Sequence, residues 1–231
     1  MVNEDFIVKL VGKDERMSKK LERFLRLARR CVRYFNRIRL KNRSFSLVTN
    51  NCVGGIISHD MHLQFRSPTI NLFFENNDFI IFLEHLKYYL SLELMPVETD
   101  RPYPVAVLKG MYGDVRVFFM HYHSFEEAKD KWNARKERMD YDNLFVIMES
   151  QKCDKSIVEK FDRLPYNHKA IITDRKYSDI KCSIAMKEGF YEKGYHNGKL
   201  LEYPKYGLRR YLDRFDYVSF FNRGMVKRRF L

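Results

Sequence analysis

The sequence predicts a three-layer α/β fold of the Rossmann or flavodoxin type, a mainly parallel sheet with helices on both faces. Two observations predict it. From Ser44 onward, short runs rich in β-branched and aromatic residues alternate with longer stretches of helical periodicity. In addition, no linker, low-complexity segment or internal repeat divides that stretch. Residues 44–231 therefore read as one α/β domain, and residues 1–43 as a basic amphipathic helix placed before it.

The N-terminal helix is expected over Lys13 to Arg43, where Met17, Leu21, Phe24, Ala28, Cys31, Phe35 and Ile38 recur at spacings of three and four. Around that stripe lie Arg23, Arg26, Arg30, Arg33, Arg37 and other cations, so the helix suits either an anionic bilayer or an outer position with its stripe packed on the domain. Phe45–Thr49 is a strand, Asn50 to Gly55 is turn chemistry, and Ile56 to Leu63 makes about two helical turns. Pro68 to Phe74 returns as a second strand. Asn76-Asn77-Asp78 caps a helix from Phe79 to Leu94, which ends before Pro96. Val105–Leu108 and Val115–Met120 flank a glycine-containing turn and form a hairpin. Ser124 and Glu127 make a capping box for a helix from Phe125 to Met139, with Trp132 as core or stacking wall. Leu144–Met148 and Ala170–Thr173 are strands around a helix that Asp154 caps and that runs to Arg163. Ile180–Ala185 is an edge strand, Tyr206–Arg214 a short helix, and Phe215–Phe221 a last apolar segment.

Net charge is +13, from 43 Lys+Arg against 30 Asp+Glu. Such a balance implies an anionic partner. The sequence contains no helix-turn-helix, finger spacing or aromatic RNA-binding signature, so nucleic acid is not the expected one; phospholipid or a phosphorylated substrate is. The four cysteines, Cys31, Cys52, Cys153 and Cys182, follow no zinc or disulfide spacing. The N-terminal ten residues lack the pattern of a signal peptide, and no apolar run approaches a membrane span. The expected location is cytoplasmic, with a peripheral position on the inner membrane face offered by the basic helix.

In open α/β sheets, ligands sit beyond the carboxyl ends of the strands. Asn50, Asn51 and Cys52 fall there after the first strand, with His59 and Asp60 further along the helix. Cys52 at a helix start would be favoured as thiolate and is a candidate nucleophile, with neighbouring amides holding an oxyanion. His59, seven residues on, is too far along the axis to be its base. His121 or His123, which strand alternation places on one side of the chain, is the expected partner. Asp60, Glu149 and Asp174 are candidate acid/base carboxylates, while Asn71, Arg66 and Arg135 suit hydroxyls and phosphate. His59, Asp60, His121 and His123 also have metal-ligand chemistry, but no second cluster at fixed spacing supports it. No metal and no cofactor is expected. Gly54-Gly55 matches neither the dinucleotide fingerprint nor a P-loop.

The blocks TNNCVGGIISHDMHLQFRSPTINLFF, PVAVLKG, MHYHSFEEAKDKWNARKERMDYDNLFVIME and FDYVSFFNRG span about Ser44 to Gly224. They resemble a bacterial family of unknown function whose members are commonly described as exopolysaccharide-biosynthesis proteins. The resemblance implies a setting in surface (exopolysaccharide or capsule) assembly and carries no catalytic residues. Combined with the residue reading, the expected function is group transfer, glycosyl or acyl, onto a sugar phosphate, a nucleotide-sugar or a lipid-linked glycan. In the acyl version Cys52 is the nucleophile. In the glycosyl version a carboxylate works beside Arg66 and Arg135. A cysteine hydrolase using Cys52 and a non-catalytic glycan- or lipid-binding accessory protein are the alternatives.

Overall fold

The computed structural model describes residues 19–151, 155–187, 190–192 and 196–229. Four strands form a parallel sheet: β1 (Ser46–Thr49), β5 (Leu144–Glu149), β6 (Lys169–Thr173) and β7 (Ser183–Ala185), adjacent in that order. Three more, β2 (Met95–Val97), β3 (Val105–Gly110) and β4 (Gly113–Phe118), form a separate antiparallel sheet. The parallel strands are buried on both faces, so their side chains divide between two cores. Val48, Val146, Met148 and Ile171 belong to one; Leu47, Phe145, Ile147 and Ile172 belong to the other.

The first core is covered by α3 (Asn76–Glu84), α4 (Leu86–Ser91), α5 (Phe125–Lys136), α6 (Lys155–Arg163) and the antiparallel sheet. The second is covered by α2 (Val53–Asp60), α7 (Tyr217–Arg223) and the 3-10 turns Lys199–Leu201 and Tyr211–Arg214. This is the expected α/β layering. The parallel order never reverses, however, so these four strands contain no topological switch point.

Several elements differ from the sequence reading for local reasons. The strand expected at Pro68–Phe74 shrinks to a single bridge, Phe73 to Phe118. Asn71 adopts a left-handed φ of 63°, which breaks an extended run. The long helix expected at Phe79–Leu94 is two helices, broken at His85 (φ −130°, ψ 40°). It starts at Asn76, and the expected cap residue Asp78 instead accepts the Arg116 amide of β4. The segment after Leu94 is a short strand, with Pro96 tolerated because β2 lies at the sheet edge. The last apolar segment is a helix, α7, capped by Asp216 and closed by Gly224 at φ 67°. Of the helix expected at Tyr206–Arg214 only the 3-10 turn Tyr211–Arg214 forms. Asp154 and the first residues of the expected N-terminal helix lie outside the described residues.

That first helix, α1 (Lys19–Arg39), packs with the face opposite to its apolar stripe. Leu25 and Asn36 are its buried residues, while Phe24, Leu27, Phe35 and Ile38 are each more than 60% exposed. What holds it is polar. Arg29 donates to the Gly207 carbonyl (2.9 Å), Arg33 to the Tyr203 hydroxyl (2.9 Å) and Arg37 to the Asp60 carbonyl (2.6 Å). Of the two alternatives for this helix, the one that packs its stripe on the domain is corrected.

Candidate functional site

The turn after β1 is built by its own side chains. Thr49 Oγ1 donates to the Asn51 carbonyl (2.7 Å) and accepts the Gly54 amide (3.3 Å). Asn51 Oδ1 accepts the Val53 amide (3.1 Å), so Asn51 rather than Cys52 supplies the side-chain cap that starts α2 three residues earlier than expected. The side-chain amide of Asn50 works as an extra ladder rung, donating to the Glu149 carbonyl and accepting the Glu149 amide, both at 2.9 Å. Glu149 itself holds the Asn51 amide and the Tyr191 hydroxyl. Gly54 is required here, because a Cβ would stand 2.7 Å from Thr49 Oγ1.

The Asn50 carbonyl accepts the Phe74 amide (2.9 Å), and Phe73 bridges to Phe118 at the end of β4. Through this strap the end of β4 is brought beside the end of β1. His121 follows in a turn, with the Tyr122 amide closing on the Phe119 carbonyl (3.0 Å). Its Nε2 meets Cys52 Sγ at 3.2 Å, across 69 residues of sequence. The turn also corrects the expected alternation: His123 stands exposed, apart from this contact.

The electrostatics differ from expectation too. Burial, and then the negative charge of Glu149, push the Cys52 thiol up to about 12 instead of favouring thiolate. Burial lowers His121 to about 4. At neutral pH both groups are uncharged, and in the Nδ1–H tautomer of His121 the thiol donates to Nε2. Of the neighbouring amides, those of Val53 and Gly54 are occupied by Asn51 and Thr49 and are not free to hold an oxyanion.

His121 opens onto a cleft of about 380 Å³ shared with Phe65, Asn71, Tyr122, Glu127, Lys131, Arg135 and Arg138. Asn71 Oδ1 sits against Gly55, 3.0 Å from where its Cβ would be. Arg135 is buried, donates to the Tyr122 hydroxyl and the Ile70 carbonyl (3.3 Å), and lies over the Phe65 ring. Among the described residues Arg135, Lys131 and Arg138 make no ion pair. A buried guanidinium without a carboxylate partner, next to two further cations, favours an anionic ligand. Lys131 and Arg138, cations on or just beyond α5, are not among the site residues expected from sequence. Their i, i+4, i+7 spacing with Arg135 was the signal available.

The other sequence candidates lie elsewhere. Asp60 is buried at the far end of α2, 2.6 Å from Arg210 and 3.7 Å from Arg33. Its burial would raise the carboxyl, but neighbouring His59, Arg210 and Arg33 hold it below its ordinary value. His59 is half-buried beside it, at 3.6 Å. Arg66 belongs to the loop of Phe65 without lining the cleft. Asp174 follows β6, two strands from β1, and pairs with Arg175 at 3.1 Å. His59 and Asp60 do not join the two strand-end histidines, and no group of three metal-type side chains gathers among the described residues. Trp132 is core.

Residues 7–222 match the family described as domain of unknown function (DUF1919). The chain belongs to this family. The match includes α1, reaching further toward the N-terminus than the sequence blocks quoted above. An uncharacterized protein of Haemophilus influenzae is similar at 38% identity over 185 residues, covering 80% of this chain and 87% of the relative.

Proposed function

We propose that this protein transfers an acyl group through Cys52 onto a phosphate-bearing glycan, a sugar phosphate or lipid-linked sugar. The single observation that carries the reading is the 3.2 Å contact of Cys52 Sγ with His121 Nε2 on the edge of a cationic cleft. The donor would be an activated acyl compound, a thioester or acyl phosphate. As Cys52 sulfur bonds to the acyl carbon, its proton passes to His121 Nε2. The bond to the donor's leaving group then breaks, and His121 returns that proton to the leaving group. In the second half a glycan hydroxyl gives its proton to His121 and attacks the thioester, and the Cys52 sulfur leaves and takes the proton back. Because the pair begins neutral, His121 works as a general base during attack rather than as the partner of a standing thiolate. Lys131, Arg135 and Arg138 hold the phosphate, and Asn71 orients a hydroxyl or the developing oxyanion.

The glycosyl alternative has less support. Asp60 and Asp174 are held in ion pairs and Glu149 is occupied by Asn51 and Tyr191. The polysaccharide setting rests on the sequence resemblance alone. Burial of the thiol favours a second reading, non-catalytic binding of the same anionic glycans. The test is transfer of labelled acyl from a thioester donor to a panel of sugar-phosphate acceptors. Cys52→Ala should abolish transfer while leaving the melting temperature within a few degrees. Transfer at the wild-type rate by Cys52→Ala would remove covalent chemistry. A wild-type protein that binds the acceptors but transfers nothing would favour the second reading.

A further inference from the structure

The one large apolar surface that nothing in the chemistry above uses is the outer face of α1. At about 100° per residue, Leu21, Phe24, Leu27, Cys31, Phe35 and Ile38 fall within an arc of about 120°. All six are exposed, Phe24 at 64% and Phe35 at 63%. Solvated helices normally show polar residues on this side. The position is enforced, because the opposite side is tied to the body through Arg29, Arg33, Asn36 and Arg37. Rotating the stripe inward would break those bonds and draw four of these polar side chains away from their partners.

The charge pattern identifies what covers this face. The helix carries nine basic residues and one acidic residue, Glu22. Arg23 and Arg30 border the apolar arc and are exposed, and Lys20 projects within it. A second copy of the chain would bring the same cations face to face, on bodies that each carry the excess of a +13 chain. An anionic bilayer supplies the opposite charge, and its headgroup boundary takes aromatic and aliphatic side chains. No helix among the described residues is long and apolar enough to cross a membrane, so α1 would lie in the interface plane. We infer that the outer face of α1 docks the protein on an anionic membrane surface, with Phe24, Phe35 and Ile38 inserted and Arg23 and Arg30 on the headgroups. This stands on the helix alone, whether or not Cys52 is a nucleophile.

Flotation of the full-length protein with zwitterionic vesicles and with vesicles containing phosphatidylglycerol tests it, at low and high salt. Wild type should bind the anionic vesicles and lose binding as salt rises. Phe24→Ser/Phe35→Ser should abolish binding. Arg23→Glu/Arg30→Glu should weaken it by about 30-fold or more, from loss of two cations at the surface. Both variants change exposed residues and should melt with wild type. Failure of wild type to bind either vesicle overturns the inference, as does unchanged binding by the Phe24/Phe35 variant. A wild-type dimer that ignores vesicles and becomes monomeric in that variant would assign the face to a second copy instead.

Discussion

Two polar clusters stand at the two ends of the same short helix, and they are resolved in opposite ways. At the C-terminal end of α2, Asp60 is buried with Arg210 at 2.6 Å and Arg33 at 3.7 Å, and its own carbonyl takes Arg37. The two buried charges there, Asp60 and Arg210, are paired with each other, and the result is a clamp that ties α1 and the Tyr203–Arg210 segment to the sheet layer. At the N-terminal end the Cys52–His121 pair is uncharged, and the buried Arg135 in the adjoining cleft has no carboxylate partner among the described residues. A cluster whose buried charges are paired internally is structural. One that leaves a buried cation without a carboxylate partner beside a thiol–imidazole contact favours a ligand from outside the chain.

Breaking the closed cluster should give the largest effect on stability. Arg210→Met leaves Asp60 buried with only Arg33 at 3.7 Å and His59 at 3.6 Å, and a loss of about 3–5 kcal/mol is expected. In thermal unfolding of a chain this long that corresponds to a fall of about 6–20 °C. Asp60→Leu/Arg210→Met should recover much of it, since a neutral buried pair needs no partner. No change in melting temperature for Arg210→Met would mean the clamp contributes nothing. Gly54→Ala forces Thr49 away from its 2.7 Å approach and opens the turn holding Cys52, so a loss of about 1–3 kcal/mol is expected by denaturant titration.

At the open cluster the contrast predicts function without stability. Arg135→Met should change unfolding free energy by only about 1 kcal/mol, the net worth of the hydrogen bonds it makes. It should remove any thermal stabilisation by inorganic phosphate or sugar phosphates, which wild type is expected to show. Retained stabilisation would separate the cleft from anion binding. The last expected effect, confined to acid pH, is the pH dependence of His121. Its folded value of about 4 lies below the ordinary 6.5, so the unfolded chain binds the extra proton between those values. The contribution is complete above pH 6.5 and is lost as pH falls toward 4. Melting curves of His121→Asn should be flatter than wild type over that window, and parallel curves would count against a buried neutral imidazole.

The α/β alternation was legible because parallel strands buried on both faces read as continuous apolar runs, as at Leu144–Met148 and Ala170–Thr173. The meeting of Cys52 with a strand-end histidine was also legible, since ligand groups gather beyond strand ends. Which histidine was not. That depends on the turn at His121, and it came through a strap of three backbone hydrogen bonds at Phe73 and Phe74 rather than through the expected strand. The protonation states were hidden for the same reason, because burial depends on what packs over the pair. Helical periodicity found the stripe on α1, but periodicity is blind to which side faces the body. Arginine bonds to Gly207, Tyr203 and Asp60 decided that. The role of Asp60 needed Arg210, which is 150 residues away.

The most direct measurement is peptide mapping by mass after brief exposure to an acyl thioester donor, comparing Cys52 with Cys31, exposed on α1, as the reference thiol. If His121 takes the Cys52 proton during attack, Cys52 acquires the acyl group at neutral pH despite its high thiol value, and His121→Ala loses that adduct while Cys31 reacts unchanged. Acylation of Cys31 alone, or a Cys52 adduct indifferent to His121→Ala, would contradict it.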